Sequence, residues 1–244
     1  MARLFNDAAP EYLYINSGIL TAVPVSMSCW FNCDDAAIYP TPIFLADKDV
    51  GTEYLGISCR GAAQGNKVRA VTSNGGTAAY AETSTAWSAN TWHHVCAVFA
   101  SNTDRRIYLD GGGKGTNATN VVPANIDRFC VGFAGTSTPS GYMSGDIAEV
   151  ALWNTALTDD DAASLAKHIS PFMVKQQNLA GYWPLVRGLV DRTYGYTLTA
   201  SGTVVSAHSR IIYPSSPMGL GISPSAAPPS TGMMTCNTGY WGSI

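Results

Sequence analysis

Between Trp87 and Gly115 the chain reads WSANTWHHVCAVFASNTDRRIYLDGGGKG, and this stretch restricts the fold more than any other. Two runs rich in β-branched and aromatic residues, Trp92–Phe99 and Arg106–Asp110, flank a short polar turn. The second run ends on Asp110-Gly111, a pair that favours the positive φ angles of a tight hairpin turn. A second clear signal lies at Val25–Phe31. There Val25, Met27, Cys29 and Phe31 fall on one face, and Ser26, Ser28 and Trp30 on the other. Side chains alternate faces along a strand, so this pattern predicts a half-buried strand.

Further strands are predicted at Tyr12–Ile15, Ile43–Ala46, Tyr54–Cys59, Val68–Thr72, Ala78–Glu82 and Phe129–Phe133. Turn-rich segments such as Ser73-Asn74-Gly75-Gly76 separate them. Many short strands with no helices between them point to an all-β sandwich rather than a parallel α/β sheet. Gly 24 and Pro 13 fit numerous turns, and a hydrophobic share of 46% argues against disorder. One helix is predicted after Thr158, where Asp159, Asp160 and Asp161 place acid at the positive end of the helix dipole. Ala162, Leu165, Ala166 and Ile169 form its apolar face, and Ser170-Pro171 stops it.

Three parts of the sequence combine: Trp92-His93 with its apolar strand, the hairpin Tyr108-Leu109-Asp110-Gly111, and Gly145-Asp146-Ile147-Ala148-Glu149-Val150 closing on Trp153-Asn154. Together they resemble the laminin-G-like, pentraxin-like branch of the concanavalin A-like jelly rolls. The resemblance implies a sandwich of two antiparallel sheets with one short helix after the Trp-Asn strand. Residues 1–213 are read as this jelly roll. The segment Leu179–Tyr213 contains Tyr182-Trp183-Pro184-Leu185, which in many relatives precedes the opening strand. It is either the completing part of a circularly permuted core, folding back beside residues 3–15, or a separate hairpin docked elsewhere. Residues 214–244 read as a Pro-rich arm, with five prolines from Pro214 to Pro229. Such a stretch neither pairs in a sheet nor continues a helix. Its Tyr240-Trp241 could anchor the arm on a neighbouring subunit or on its own sandwich.

Composition excludes some functions. Net charge is −3, without a basic field for nucleic acid or anionic membrane. No apolar run is long enough to span a bilayer. The opening MARLFNDAAPEYLY lacks the apolar region of a secretory leader, so synthesis in a cytosol is expected. With it goes a reduced state for Cys29, Cys59, Cys96 and Cys130, which sit in strand runs; Cys33 and Cys236 complete the six cysteines. A cytosolically made domain of a mostly extracellular fold type suggests a virion: a capsid decoration, fibre or tail-associated module of a bacteriophage, where similar domains occur. Its partners would be other virion proteins or copies of itself, and cell-surface glycans.

Catalytic patterns are weak. A retaining glycosidase needs two carboxylates about 5–5.5 Å apart in one cleft. Asp146 and Glu149 are three residues apart, which on a regular strand sets them on opposite faces, and Ser144 stands where a first acid would be. His93 and His94 are adjacent and likewise diverge. No Gly-x-Ser-x-Gly elbow and no phosphate-binding glycine fingerprint opens a helix. The expectation is a non-enzyme without a cofactor. The resemblance leaves open a calcium ion on Asp47 and Asp49, although continuation as an EF-hand fails at Ser58. Glycan binding requires exposed aromatic rings on turn-rich segments, and Tyr39, Tyr80, Trp87 and Tyr142 are the candidates. A structural subunit without a glycan site is the alternative, and a polysaccharide hydrolase is a third reading.

Overall fold

The computed structural model describes residues 2–186 and 188–208; the proposed arm at 214–244, with Tyr240, Trp241 and Cys236, lies outside the described residues. The chain folds as two packed antiparallel sheets. Strands in chain order are β1 (Ala2–Phe5), β2 (Tyr12–Ile15), β3 (Val25–Cys33), β4 (Ile43–Ala46), β5 (Tyr54–Cys59), β6 (Val68–Asn74), β7 (Thr77–Glu82), β8 (His93–Ser101), β9 (Asp104–Leu109) and β10 (Gly112–Asn117). They continue with β11 (Arg128–Val131), β12 (Gly145–Trp153), β13 (Leu179–Trp183), β14 (Thr199–Ser201) and β15 (Val204–Ser206). One sheet runs β10-β9-β8-β3-β12-β1-β15, with β13 also on β12, and the other runs β14-β2-β11-β4-β5-β6-β7. This is the all-β sandwich that the alternating strands predict, in the two-sheet jelly-roll form that the family resemblance implies.

Inward-facing residues build the core between the sheets. Val25, Met27, Cys29 and Phe31 from β3 meet Ile43 and Leu45 from β4, Leu55 and Ile57 from β5, and Phe129 and Val131 from β11. Each such side chain contributes about 1.5–3 kcal/mol when fully buried. The C-terminal strands return to the start of the chain: β14 pairs with β2 and β15 with β1. Asp191, on the loop before β14, secures this return. Burial would raise its pKa, yet the Thr193 hydroxyl and the backbone amides of Tyr182, Tyr194 and Thr193 hold it below the usual carboxylate range.

The two sheets differ in their outer faces. Helix α1 (Asp159–Ala166) covers the eight-stranded sheet, starting in a capping box between Thr158 and Asp161. It ends at Ala166, short of the sequence-predicted Ile169, and Ser170 then caps a 3-10 turn. Leu165 and Ala162 pack with Cys96, Val98, Tyr108, Ala151, Trp153 and Tyr182. Thus Ser26 and Ser28, whose positions on the polar face of β3 suggested exposure, are buried. Ser26 is satisfied there, because its hydroxyl donates to the Thr155 carbonyl at 2.7 Å and accepts from Leu157 N at 3.0 Å. At the β9–β10 turn Asp110 (φ 54°) and Gly111 (φ 73°) adopt the expected left-handed pair. Gly111 also lies so close to the helix that a Cβ would stand 3.0 Å from Ala163 Cα. Among the described residues no helix is long and apolar enough to cross a membrane.

The same outer face gathers histidines that the sequence leaves scattered. His168 stacks on Trp30 with centroids 4.2 Å apart, His94 approaches that indole at 5.4 Å, and His208 meets the edge of Trp92 at 4.4 Å. Burial lowers the His94 pKa to about 3, with Asp110 opposing it, and burial lowers His208 to about 4. Both are neutral in the folded protein at pH 5, where an unfolded histidine, with a pKa of about 6.5, is mostly protonated. Stability present above pH 6.5 is therefore lost as pH falls below it. Urea unfolding should show a loss of about 1–2 kcal/mol from His94 between pH 6.5 and 5. The variant His94→Gln should have a shallower pH slope over that interval, whatever its absolute stability; an unchanged slope would remove His94 as the cause.

Cys29, Cys33, Cys59, Cys96 and Cys130 are free and buried. Burial pushes the Cys33 and Cys130 thiols up to about 12, and the other three also rise. A thiol reagent should therefore count at least five sulfhydryls in denatured protein and find those five protected in the native state. Fewer than five after denaturation without reductant would mean that a bridge forms.

Candidate functional site

Among the described residues no helix is packed on the seven-stranded sheet, and its outer face carries a groove of about 710 Å³. Alternation decides which residues line it. With Leu55, Ile57 and Cys59 turned to the core, Tyr54, Gly56 and Ser58 of β5 face out. Register then aligns Tyr14, Cys130, Phe44, Gly56, Val71 and Tyr80 across six strands. Phe44 and Val71 form the floor. The Phe44 ring lies 4.9 Å from that of Tyr54. It crosses the space above Gly56, where a Cβ would meet it at 2.3 Å.

Tyr39 and Tyr80 flank the groove and are 42% and 45% exposed. Each ring carries an arginine. The Arg60 guanidinium lies 4.8 Å from the Tyr39 centroid and that of Arg69 lies 3.8 Å from the Tyr80 centroid. Arg69 also donates to Glu82 at 2.6 Å, across the β6–β7 register. The loop before β12 supplies Thr136, Thr138 and Ser140 to the lining, and Thr41 and Thr52 add further hydroxyls. The site is thus two exposed aromatic rings, two cations and a set of hydroxyls over a floor that includes Phe44, Tyr54 and Val71.

Trp87 does not belong to this platform. It is 1% exposed, packs edge-on against Phe31 in the core, and donates its indole N–H to the Arg60 carbonyl at 3.0 Å. It stands in a turn-rich segment, but its own side chain has a more favourable place between the sheets. Tyr142 is half-buried and stacks on Phe133, with Tyr12 beside both. It therefore belongs to an aromatic cluster on the same sheet face. Arg60, Arg69 and Phe44 were not singled out from sequence. Outward alternation along β4, β5 and β6 was the available signal, but it does not say which sheet face remains uncovered.

For Asp47 and Asp49, folding adds Asp127 from 78 residues beyond Asp49, and one carboxylate oxygen of each falls within 4.8 Å of the others. The Lys48 ammonium sits among them, at 2.5 Å from Asp49 and 2.8 Å from Asp127. Asp47 and Asp127 also accept the backbone amides of Asp49 and Lys48. Calcium takes six to eight oxygens and would have to displace this ammonium, so the residues as arranged do not fit a resident ion.

Asp146 and Glu149 need a correction. The β12–β3 register shifts between Ala148 and Ala151, and Glu149 has a φ of 55°. This bulge breaks the alternation. Glu149 points to the outer face of the eight-stranded sheet, where it accepts from the Tyr182 hydroxyl. Asp146, next to the inward Ile147, faces out as well and accepts from Ser206. The two carboxylates share a face instead of opposing each other, but that face lies across the sandwich from the groove. His93 and His94 diverge as expected: His93 contacts Asp110 at 2.7 Å and Phe31, whereas His94 faces Trp30.

A Gly56→Ala substitution tests the floor. Its Cβ would meet not only the Phe44 ring but also Ile43 O at 2.7 Å, so overpacking should destabilise the protein by about 1–3 kcal/mol. Chemical denaturation measures this, and an unchanged midpoint would mean that the floor is looser than described.

Comparisons with known proteins agree with this architecture. A laminin-G-type family model described as the concanavalin A-like lectin/glucanases superfamily matches residues 7–163. No curated protein matches by sequence. Among solved structures, domain 4 of AbnA, an extracellular GH43 arabinanase from Geobacillus stearothermophilus, in complex with arabinotriose, aligns at a TM-score of 0.57 and 19% identity, over 68% of this chain and 76% of that one. A heptameric SAP-like pentraxin from Limulus polyphemus aligns at 0.58 and 11% identity, over 83% and 93%. The CBM40 of a Ruminococcus gnavus sialidase, bound to α2,3 sialyllactose, aligns at 0.53 and 11%, over 60% and 84%. At such identities these likenesses concern the fold alone, but the family match covers more than half of the chain. This protein therefore belongs to the concanavalin A-like lectin/glucanases superfamily, in its laminin-G-like branch.

Proposed function

We propose that this domain is a non-enzymatic glycan-binding module and that its site is the groove between Tyr39 and Tyr80. The observation that carries the reading is the pair of exposed rings on a sheet face that no described helix covers. Aromatic faces pack against the C–H faces of sugar rings, and surrounding hydroxyls orient the sugar's own hydroxyls. Solved relatives of the same fold, in complex with arabinotriose and sialyllactose, support the choice of ligand class. Binding without turnover is supported by the lining of the groove, which includes no carboxylate among the described residues. Hydrolysis by the usual route requires two, and Asp146 and Glu149 lie on the other side of the sandwich.

The biological setting we propose is a particle surface: a capsid decoration, fibre or tail-associated module of a virion. Buried free thiols support assembly in a reducing cytoplasm. Co-sedimentation of the protein with purified particles tests the setting, and its absence from them would refute it.

On a glycan array, the wild-type domain should retain one or more glycans. Tyr39→Ala and Tyr80→Ala should each weaken that binding about tenfold, equivalent to about 1.4 kcal/mol, and should leave the fold intact because both side chains are largely exposed. Incubation with the bound glycan should release no sugar. Retention unaffected in both variants would exclude this groove, and turnover would exclude a pure binding role.

A further inference from the structure

The groove has a charge pattern that stacking on sugars does not require. Its lining contains Arg60 and Arg69 and, among the described residues, no aspartate or glutamate, in a chain whose acids outnumber its lysines and arginines 17 to 14. Arg69 is neutralised by Glu82 at 2.6 Å. Arg60 has no such partner: among the described residues its guanidinium makes no ion pair and no hydrogen bond, and its Nε is shielded from solvent without an acceptor. Its guanidinium lies against the Tyr39 ring.

Arg60 is nonetheless held in position. Its amide donates to the Lys67 carbonyl at 2.7 Å and its own carbonyl accepts the Trp87 indole at 3.0 Å. The main chain is thus fixed on both sides, with the tryptophan anchored in the core, and the tyrosine face restricts the side chain. An arginine ordered in this way, at the wall of a groove and lacking a counterion, presents a planar donor fork to whatever enters. Carboxylates match that fork with two parallel hydrogen bonds, and sulfates share the oxyanion chemistry. Hydroxyls of a neutral sugar would leave the charge uncompensated.

Building on the groove as a glycan site, we infer that its ligand is an acidic glycan, whose anionic group is seated on Arg60 while an adjoining sugar packs on the tyrosines. Affinity electrophoresis of the full chain tests this in gels containing polygalacturonate, alginate or polysialic acid as carboxylate carriers, dextran sulfate as the sulfate carrier, and dextran or arabinan as neutral controls. At least one acidic polymer should retard the protein, less so at 500 mM than at 50 mM NaCl. Arg60→Gln should weaken that retardation at least tenfold, and Arg60→Lys should restore only part of it because the charge returns without the fork. Arg192→Gln, an exposed change outside the groove, should leave it unaltered. Circular dichroism would verify folding, and Arg60→Lys keeps the test decisive if Arg60→Gln unfolds.

The carboxylate and sulfate gels distinguish the two anions. Retardation by neutral polymers alone, unaffected by Arg60→Gln, would overturn the acidic ligand and leave the groove reading standing. Equal losses from Arg60→Gln and Arg192→Gln would reduce the effect to non-specific charge and overturn it as well. No retardation in any acidic gel would also overturn it, and the tyrosine variants would then decide the groove reading separately.

Discussion

The indole N–H of Trp153 reaches the Val174 carbonyl at 2.9 Å and so fastens the segment after helix α1 to the last residue of β12. Around this bond Leu157, Leu165, Val174, Leu179 and Tyr182 form a second apolar layer over the outer face of the eight-stranded sheet. Tyr108 and Lys114 of the β9–β10 hairpin hold the start of the helix through Asp159, at 2.7 and 2.9 Å. The one described α-helix packs on this side, and among the described residues no helix covers the outer face of the other sheet. Burial that removes one face from water thereby selects the face on which a groove can exist.

The same asymmetry separates the two sets of groups that could have carried chemistry. Asp146, Glu149 and the cluster of His94, His168 and His208 lie on the covered side, where they are partnered or packed against tryptophan. Tyr39, Tyr80, Arg60 and Arg69 lie on the open side. Asp146 and Glu149 therefore lie across the sandwich from the aromatic platform, and Glu82, on the open side, is paired with Arg69. The core also reaches into the site indirectly. Trp87 fails as a platform ring because burial of its large apolar surface is worth more than its exposure, yet its indole N–H fixes the carbonyl of Arg60.

Much of the fold was legible in local patterns. Val25–Phe31 alternates cleanly because its inner face meets the core, and β4, β5 and β2 fall on the predicted segments since short apolar runs bounded by turns leave little freedom of register. Thr158 and the three aspartates mark the helix start through capping and dipole chemistry that is local by nature. Where a local rule failed, a neighbour far along the chain was the cause. The bulge at Glu149 turned that residue to the face of Asp146, and the hydrophobic layer over Ser26 and Ser28 buried the polar side of β3.

By itself the sequence determined most of the core strands, the apolar side of Val25–Phe31 and an all-β sandwich, because these depend on period-two alternation and turn chemistry within a few residues; the jelly-roll form followed from the family resemblance. Only the tertiary structure decided which outer face stays open, that Trp87 goes inside while Tyr39 and Tyr80 remain out, and that Asp127 and Lys48 close the Asp47–Asp49 loop. It alone brings Arg60 against Tyr39, 21 residues earlier in the chain. These outcomes depend on contacts between distant segments and on competition for buried area, and neither is encoded in the spacing of neighbouring residues.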